Sequence, residues 1–400
     1  MSTEEEKPQD SDGQVTAAGD ATVARPSSSR RSATMIEAGL TRWFPKVLGD
    51  DAGVTIDHFE IPEGNGMSSE TVLLTATWTE RDKSVTRDLV ARIAPVVSEI
   101  PVFMEYDFEM QFQVMQHIAR ISTVPVPQVH WLELDPDYVG APFFVMNQIA
   151  GQVPPDVMPY NFGDCWISDA TDDELRRLET ETIRVLVDLH AIEHAEVEFP
   201  MLISPQPGGS ALRQHVNALQ DYSNWVFDDG RTPPLITAAF QWLYDHWPED
   251  DSGVVLSWGD ARIGNIMYQD FKPLAVLDWE TAGLGPREID LGWMIFLHRF
   301  FEDIAHSLDI AGMPTFMHRD RLVALYESMS GYEVVDLDFY VVYAALRQAV
   351  IMSQVQRRAI TFGAAEEPAN LDELFMHHDS LRALLAGTYW DRVEPLDLGS

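Results

Sequence analysis

The segment 254–293 constrains the fold most strongly, because it alternates short apolar runs with polar breaks. It runs VVLSWGDARIGNIMYQDFKPLAVLDWETAGLGPREIDLGW. The pattern predicts an apolar strand, a polar loop, a β-hairpin and a Gly/Pro loop that leads into a helix. Asp260, Asn265 and Asp278 stand where these predicted strands begin or end. Because carboxylate and carboxamide oxygens suit proton transfer and hard divalent cations, we expect these residues to share one site.

The spacing within this segment is that of a known catalytic loop. Asp260 and Asn265 form D-x-x-x-x-N, as in protein kinases, and Asp278 follows an intervening hairpin like the metal-binding Asp there. The segment resembles the aminoglycoside phosphotransferase and choline kinase family, with signature H-G-D-x-x-x-x-N and then I-D-[WF]-E. Trp258 stands where that family has His. In kinase-like folds the His packs and hydrogen-bonds beneath the loop, so we expect Trp258 to replace it structurally.

The resemblance implies roles for the residues of the segment. Asp260 would orient the acceptor hydroxyl and take its proton, while Asn265 and Asp278 would hold Mg²⁺. Arg262 would steady the transferred phosphate; the alternative is a salt bridge within the loop. Asp290, after the Gly/Pro loop, is expected to accept backbone amides of the catalytic loop.

A Gly-rich stretch between two predicted strands, 54–61 and 71–79, is a candidate phosphate lid. Glycines let backbone amides approach phosphates closely. The alternative is a plain hairpin turn. The candidate residues of this lid are Gly64, Asn65, Gly66, Ser68 and Ser69.

A third predicted strand, 88–94, carries Arg92 at the place where kinase-like enzymes keep a cation for the nucleotide phosphates. Arg replaces the usual Lys, and a guanidinium can bind phosphate through two donors. The alternative is a surface Arg on a strand edge. In the predicted helix 104–119, either Glu109 or Gln111 would lie near Arg92; Glu109 has the right charge, whereas Gln111 fits the family pattern better.

The apolar run 143–146 ends near Gly151 and predicts a buried strand. The resemblance makes this the hinge between two lobes, where Met146 and Gln148 would contact the adenine of ATP.

The implied fold is α+β and protein-kinase-like, with an antiparallel-sheet N-terminal lobe (34–150) and a mainly helical C-terminal lobe (151–400). Residues 1–33 are polar and have few large apolar side chains, so we expect a disordered tail. Thr171–Glu174 has the pattern of a capping box at a helix start. Further helices are predicted at 210–227, 234–247, 289–305, 319–331, 336–362 and 370–387, and His377 and His378 are expected on a helix surface.

The formal net charge of −37 argues against nucleic acid or an anionic membrane as a partner. A single cysteine, Cys165, excludes an intramolecular disulfide, and no signal-peptide pattern is present, so a cytoplasmic location is expected. The charge favours a cationic acceptor modestly. Aminoglycosides, other small alcohols and hydroxyacyl-CoA esters all stay open as acceptors. The rival hypothesis is a nucleotide-binding pseudokinase with a scaffolding role, which the departures at Trp258 and Arg92 support.

Overall fold

A computed structural model describes residues 31–62, 69–95, 100–156, 159–203 and 209–397. The elements before residue 150 form an antiparallel sheet flanked by helices, and the elements after it are mainly helical. This is the two-lobe, kinase-like α+β architecture that the resemblance implied.

The N-terminal lobe is built on a sheet with strand order β1-β2-β3-β5-β4, in which every neighbouring pair is antiparallel. Its elements are α1 (Ala33–Leu48), β1 (Thr55–Glu60), β2 (Glu70–Glu80), β3 (Lys83–Ile93), α2 (Phe108–Ile121), β4 (Val129–Glu133) and β5 (Phe143–Asn147). The predicted apolar face of α2 is buried, and Phe108 and Phe112 pack on Phe144 of β5. This contact fixes α2 on the sheet.

The described chain begins at residue 31, within the stretch 1–33 that we expected to be a disordered tail. Residues 1–30 lie outside the described part of the chain, whereas Arg31–Ala33 belong to the N-terminal lobe. Arg31 donates to the carbonyl of Ala94 and pairs with Glu70. The hydroxyl of Ser32 accepts the backbone N–H of Met35, so it caps α1.

The C-terminal lobe packs long helices around short strands. Its helices are α3 (Asp172–His190), α4 (Ala195–Glu198), α5 (Ala211–Val226), α6 (Pro234–Asp245), α7 (Glu288–Ser307), α8 (Arg319–Ser330), α9 (Leu337–Thr361) and α10 (His378–Leu385). The capping box predicted at Thr171 and Glu174 is confirmed at the start of α3. No helix in the described ranges is both long and apolar enough to span a membrane.

The predicted strands of segment 254–293 form two small antiparallel ribbons. β6 (Val255–Ser257) pairs with β9 (Gly283–Gly285), and β7 (Ile266–Gln269) pairs with β8 (Lys272–Val276). Asp270 and Phe271 close the second ribbon with positive φ angles, as a tight two-residue hairpin requires. The ends of β6 and β8 lie together, since the indole Nε1 of Trp258 lies 2.9 Å from the carbonyl oxygen of Leu277.

The prediction of one helix over 370–387 was wrong. A short 3₁₀ helix at Leu371–Leu374 and α10 are separated by Phe375–His377, and Phe375 is 1% exposed. His377 is also buried rather than on a helix surface. It lies against Phe296, Phe300 and Phe375, and its Nε2 is 2.9 Å from the carbonyl oxygen of Ala345.

Candidate active site

Asp260 follows β6 and is held by hydrogen bonds on both carboxylate oxygens. The indole Nε1 of Trp293 donates to Oδ1 at 2.7 Å, and Nδ2 of Asn265 donates to Oδ2 at 2.6 Å. Burial favours the neutral carboxyl, but the guanidinium groups of Arg262 and Arg347 outweigh it and hold the pKa of Asp260 below its usual value. Asp260 is therefore an oriented carboxylate that can accept a proton.

Asp290, at the start of α7, holds the loop that carries Asp260 through hydrogen bonds to residues 257–259. Its carboxylate accepts the hydroxyl of Ser257 and the backbone N–H groups of Trp258 and Gly259, each at 2.8 Å. Nε2 of His190 lies 3.1 Å from the same carboxylate. The expected role of Asp290 as an acceptor of catalytic-loop amides is confirmed.

Trp258 performs the packing role that the resemblance assigns to His. Its side chain is fully buried, and its indole Nε1 lies 2.9 Å from the carbonyl oxygen of Leu277 and 3.2 Å from that of Asp278. The indole therefore joins the loop that carries Asp260 to the end of β8. This contact explains how Trp is accommodated without loss of the groups that carry chemistry.

Asp278 lies beside Asp260 in a strained backbone conformation, with a φ of +60°. Burial raises the pKa of Asp278; Arg92 opposes this effect, whereas the charge of Asp260 adds to it. Oδ1 of Asp278 is buried and has no hydrogen-bond donor in the described part of the chain. NH2 of Arg92 lies 3.8 Å from this oxygen. The β3 cation therefore faces the site, and the surface-Arg alternative is wrong.

Arg262 lies between two carboxylates. Its Nε donates to Oδ2 of Asp260 at 3.1 Å, and NH1 pairs with Asp156. The structure thus shows the salt bridge that we gave as the alternative. The same position beside Asp260 leaves Arg262 next to any group transferred there.

The expected pair between Arg92 and Glu109 is absent. Glu109 is exposed and accepts the side-chain amide of Gln113, one turn further along α2, at 3.1 Å. Gln111 is the buried member of the two, at 3% exposure. The apolar periodicity of α2 placed its core face correctly, but α2 turns Glu109 to solvent.

The candidate lid and hinge are only partly within the described ranges. Four residues of the candidate lid lie outside these ranges: Gly64, Asn65, Gly66 and Ser68. Ser69 directly precedes β2 and is 4% exposed.

In the candidate hinge, Met146 is buried in β5 between Val90 and Val129. The backbone N–H of Gln148 donates to the carbonyl of Asp88 at 3.0 Å, so this N–H is already used and cannot also bind a base. Its side chain is exposed.

Trp293, Arg347 and Asp156 belong to the site, although the sequence did not single them out. NH1 of Arg347 donates to the carbonyl of Gly259 at 2.7 Å, and the guanidinium lies 4.4 Å from the Trp293 ring centroid. These residues come from α7, α9 and the segment before α3, and they share no local motif with Asp260. Only the folded chain brings them to the loop.

The oxygen donors of the site fit a magnesium ion. Nδ2 of Asn265 donates to Asp260, so the carboxamide oxygen of Asn265 can bind another partner. Oδ1 of Asp278 is buried and has no donor in the described part of the chain. Mg²⁺ takes oxygen ligands and is commonly held by one or two side chains together with water and substrate phosphates. The described residues hold no cluster of at least three His, Cys, Asp or Glu side chains that could form a cage. Asn265 and Asp278 would therefore suit a Mg²⁺ ion that takes its remaining ligands from water and nucleotide phosphates.

The fold and this loop define a kinase-like phosphotransferase, and comparison with known proteins gives the family. The model of the phosphotransferase enzyme family matches residues 64–330. The chain belongs to this family. A candidate aminoglycoside phosphotransferase from Ralstonia eutropha has a similar fold, with a TM-score of 0.60, 19% identity, and coverage of 88% of this chain and 98% of that one. The GDP complex of a variant of aminoglycoside 2′-phosphotransferase-IIIa gives a TM-score of 0.56 at 16% identity, covering 88% of this chain and 99% of that one.

The curated relatives are named as acyl-CoA dehydrogenases rather than as aminoglycoside phosphotransferases. The chain is 24% identical over 294 residues to acyl-CoA dehydrogenase family member 10 of Mus musculus, and the matched region is 71% of this chain and 26% of the relative. It is 25% identical over 205 residues to acyl-CoA dehydrogenase family member 11 of Homo sapiens, and the matched region is 50% of this chain and 24% of the relative. The chain thus spans about a quarter of the length of these relatives.

Proposed function

We propose that this protein is an ATP-dependent phosphotransferase that phosphorylates a hydroxyl group of a small molecule. The observation that carries the proposal is the meeting of Asp260, Asn265 and Asp278, with Arg92 and Arg262 beside them. An oriented base, two oxygen ligands and two guanidinium groups are the parts that phosphoryl transfer requires. Nucleotides occur in related folds: a ternary complex of APH(4)-Ia contains AMP-PNP and hygromycin B.

The chemistry follows from these positions. The acceptor oxygen attacks the γ-phosphorus as its proton passes to Asp260, and the bond from the γ-phosphorus to the β–γ bridging oxygen breaks, so ADP leaves. Arg92 would bind the α- and β-phosphates, and Arg262 would balance charge on the transferred group. Bound Mg²⁺, held by Asn265 and Asp278, would supply charge neutralisation at the β- and γ-phosphates.

Thermal unfolding with and without Mg-ATP, followed by ATP turnover with a panel of alcohols, tests the proposal. We expect Mg-ATP to raise the melting temperature, and Asp260→Ala to reduce turnover by roughly 10²–10⁴-fold while it preserves nucleotide binding. Binding with no turnover by any acceptor would favour the pseudokinase alternative. No binding of Mg-ATP would contradict both hypotheses.

A further inference from the structure

The two carboxylate oxygens of Asp260 differ in the hydrogen bonds that they accept. Oδ2 accepts Nδ2 of Asn265 at 2.6 Å and Nε of Arg262 at 3.1 Å. From the described residues, Oδ1 accepts one donor, the indole Nε1 of Trp293 at 2.7 Å. Each carboxylate oxygen has two lone pairs, so these donors fill Oδ2 and leave Oδ1 one lone pair free. The side chain of Asp260 is 20% exposed, so a bound hydroxyl group can reach this carboxylate.

Trp293 is held against Asp260 by an arginine of α9. The guanidinium carbon of Arg347 lies 4.4 Å from the centroid of the Trp293 ring, and NH1 of Arg347 donates to the carbonyl of Gly259 at 2.7 Å. Arg347 therefore contacts both the indole that donates to Asp260 and the residue before Asp260. A cation over an indole face draws electron density out of the ring, which makes the indole N–H a stronger hydrogen-bond donor. Trp293 is 4% exposed, so its indole has little freedom to leave this position.

The close approach of α7 and α9 makes these contacts possible. Gly292 precedes Trp293, and a Cβ at this glycine would lie 2.9 Å from the backbone carbonyl carbon and from the Cβ of Tyr340. Tyr340 and Arg347 are seven positions apart, which is two helical turns, so both lie on the face of α9 that meets α7. Because glycine has no side chain, α7 comes close enough to α9 for Arg347 to cover the Trp293 ring.

The geometry points to Oδ1 of Asp260 as the oxygen that takes the proton of the acceptor, with Trp293 and Arg347 as the positioning residues that orient it. The inference rests on the proposed function and adds the atom at which the proton is held. In this step the O–H bond of the acceptor breaks, and its proton goes to the free lone pair of Oδ1. The acceptor oxygen bonds to the γ-phosphorus, and the bond from the γ-phosphorus to the bridging oxygen breaks with its electron pair left on ADP. Because Asn265 and Arg262 already occupy Oδ2, that oxygen is not the one that accepts the proton.

A second set of the same three residue types, away from the candidate site, is a matched control. Arg319 lies 4.3 Å from the centroid of the Trp390 ring, and Nε1 of Trp390 donates to Oδ1 of Asp338 at 3.1 Å. Asp338 is exposed and lies nine positions before Arg347, which places it on the opposite face of α9. Changes in this control set alter an indole–carboxylate hydrogen bond of the same kind without touching Asp260.

The main variant is Trp293→3-benzothienylalanine, in which sulfur replaces the indole N–H and the ring keeps its shape. The first stage uses the wild-type protein and measures AMP-PNP binding with Mg²⁺, and ADP release from Mg-ATP with water and with the fastest alcohol of the panel as acceptors. Absence of binding, or turnover that Asp260→Ala does not reduce, refutes the proposed function and this inference with it. The second stage compares kcat, KM for Mg-ATP and the Kd of AMP-PNP across the variants. A failure in the second stage alone refutes this inference and leaves the proposed function standing.

We expect the Trp293 variant to lose roughly tenfold or more in kcat, because it loses a hydrogen bond to a charged group, while the Kd of AMP-PNP stays unchanged. Arg347→Lys keeps the charge and a donor, so it should retain more activity than Arg347→Met, which keeps neither. Trp390→3-benzothienylalanine and Arg319→Gln should leave kcat unchanged.

Four results would each overturn the inference: an unchanged kcat in the Trp293 variant, an equal loss in the Trp390 variant, equal activity of the two Arg347 variants, or AMP-PNP binding that weakens as much as kcat falls. The last result would assign Trp293 a structural role, because orientation of the base affects the chemical step and not nucleotide binding. Where the Trp293 variant does not fold, the order of the two Arg347 variants decides the question.

Discussion

The carboxylate of Asp290 accepts the backbone N–H of Gly259 at 2.8 Å, one residue before Asp260. Asp290 is fully buried, and its carboxylate also contacts Ser257, Trp258 and His190. The carboxylate is thus the anchor for the loop that carries the candidate base, although it does not itself face the cleft. Loss of this anchor should affect both stability and turnover.

We predict that Asp290→Asn lowers the free energy of unfolding by about 3 kcal/mol, because the new amide turns a donor toward groups that are already donors. Urea denaturation measures this loss, and Asp221→Asn on the exposed face of α5 is the control. Burial opposes ionisation, but His190 and the loop amides hold the pKa of Asp290 below its usual value. Its stabilising effect should therefore be complete above about pH 4 and decline as the pH falls further. An unchanged urea midpoint would show that Asp290 is not the anchor.

A second prediction concerns the indole that stands in place of the family histidine. Trp258→Phe keeps an aromatic ring but removes the indole donor to the carbonyls of Leu277 and Asp278. We expect the free energy of unfolding to fall by about 1–3 kcal/mol and half-maximal turnover to require a higher Mg²⁺ concentration, because Asp278 is a proposed Mg²⁺ ligand. Trp258→His keeps a donor and leaves a cavity. If the hydrogen bond matters more than the volume, the His variant should retain more activity than the Phe variant. The opposite order would assign the role of Trp258 to packing alone.

The third prediction concerns buried histidines and acid stability. Burial lowers the pKa of His215 and His377 to about 4 and that of His298 to about 3. These groups are neutral in the folded state but take up protons on unfolding below about pH 6.5. The free energy of unfolding should therefore fall as the pH drops from 6.5 to 4, with each histidine adding up to about 1.4 kcal/mol per pH unit to the slope.

Urea denaturation across this pH range tests the slope, with His377→Gln expected to remove one histidine's share. The urea m-value should stay constant, which separates proton uptake from a change in the unfolded state. A stability that does not vary between pH 4 and pH 6.5 would contradict this account.

The sequence predicts that Asp260, Asn265 and Asp278 share one site, but it does not predict the residues that surround them. Asp260 and Asn265 lie in one loop, and the local hairpin of β7 and β8 separates Asn265 from Asp278, so the three residues come together once these strands pair. Trp293 and Arg347 reach the loop from helices 33 and 88 residues away from their partners, and in the sequence they have the pattern of ordinary helix residues. Their contacts depend on the packing of α7 against α9, which periodicity does not specify.

The same limit explains two errors. Periodicity showed which face of α2 is buried but not that Glu109 points to solvent. In 370–387 the apolar spacing continues across Phe375 and His377, yet both are buried against other elements, and tertiary packing interrupts the helix there. Local pattern thus predicts elements well and fails where neighbours from distant segments decide.

Gly259 gives the sharpest test of how closely the two loops of the site must approach. Its φ is +84°, and a Cβ there would lie 2.0 Å from the carbonyl oxygen of Thr281, just after the motif that carries Asp278. Gly331 has a φ of +69°, and a Cβ there would meet no atom within 4 Å. Gly331→Ala should therefore cost only the backbone penalty, about 1 kcal/mol. Gly259→Ala adds the clash, so it should cost several-fold more and abolish turnover by separating Asp260 from Asp278. Equal melting temperatures for the two variants would mean that the loops can move apart without loss, and that their close approach is not what builds the site.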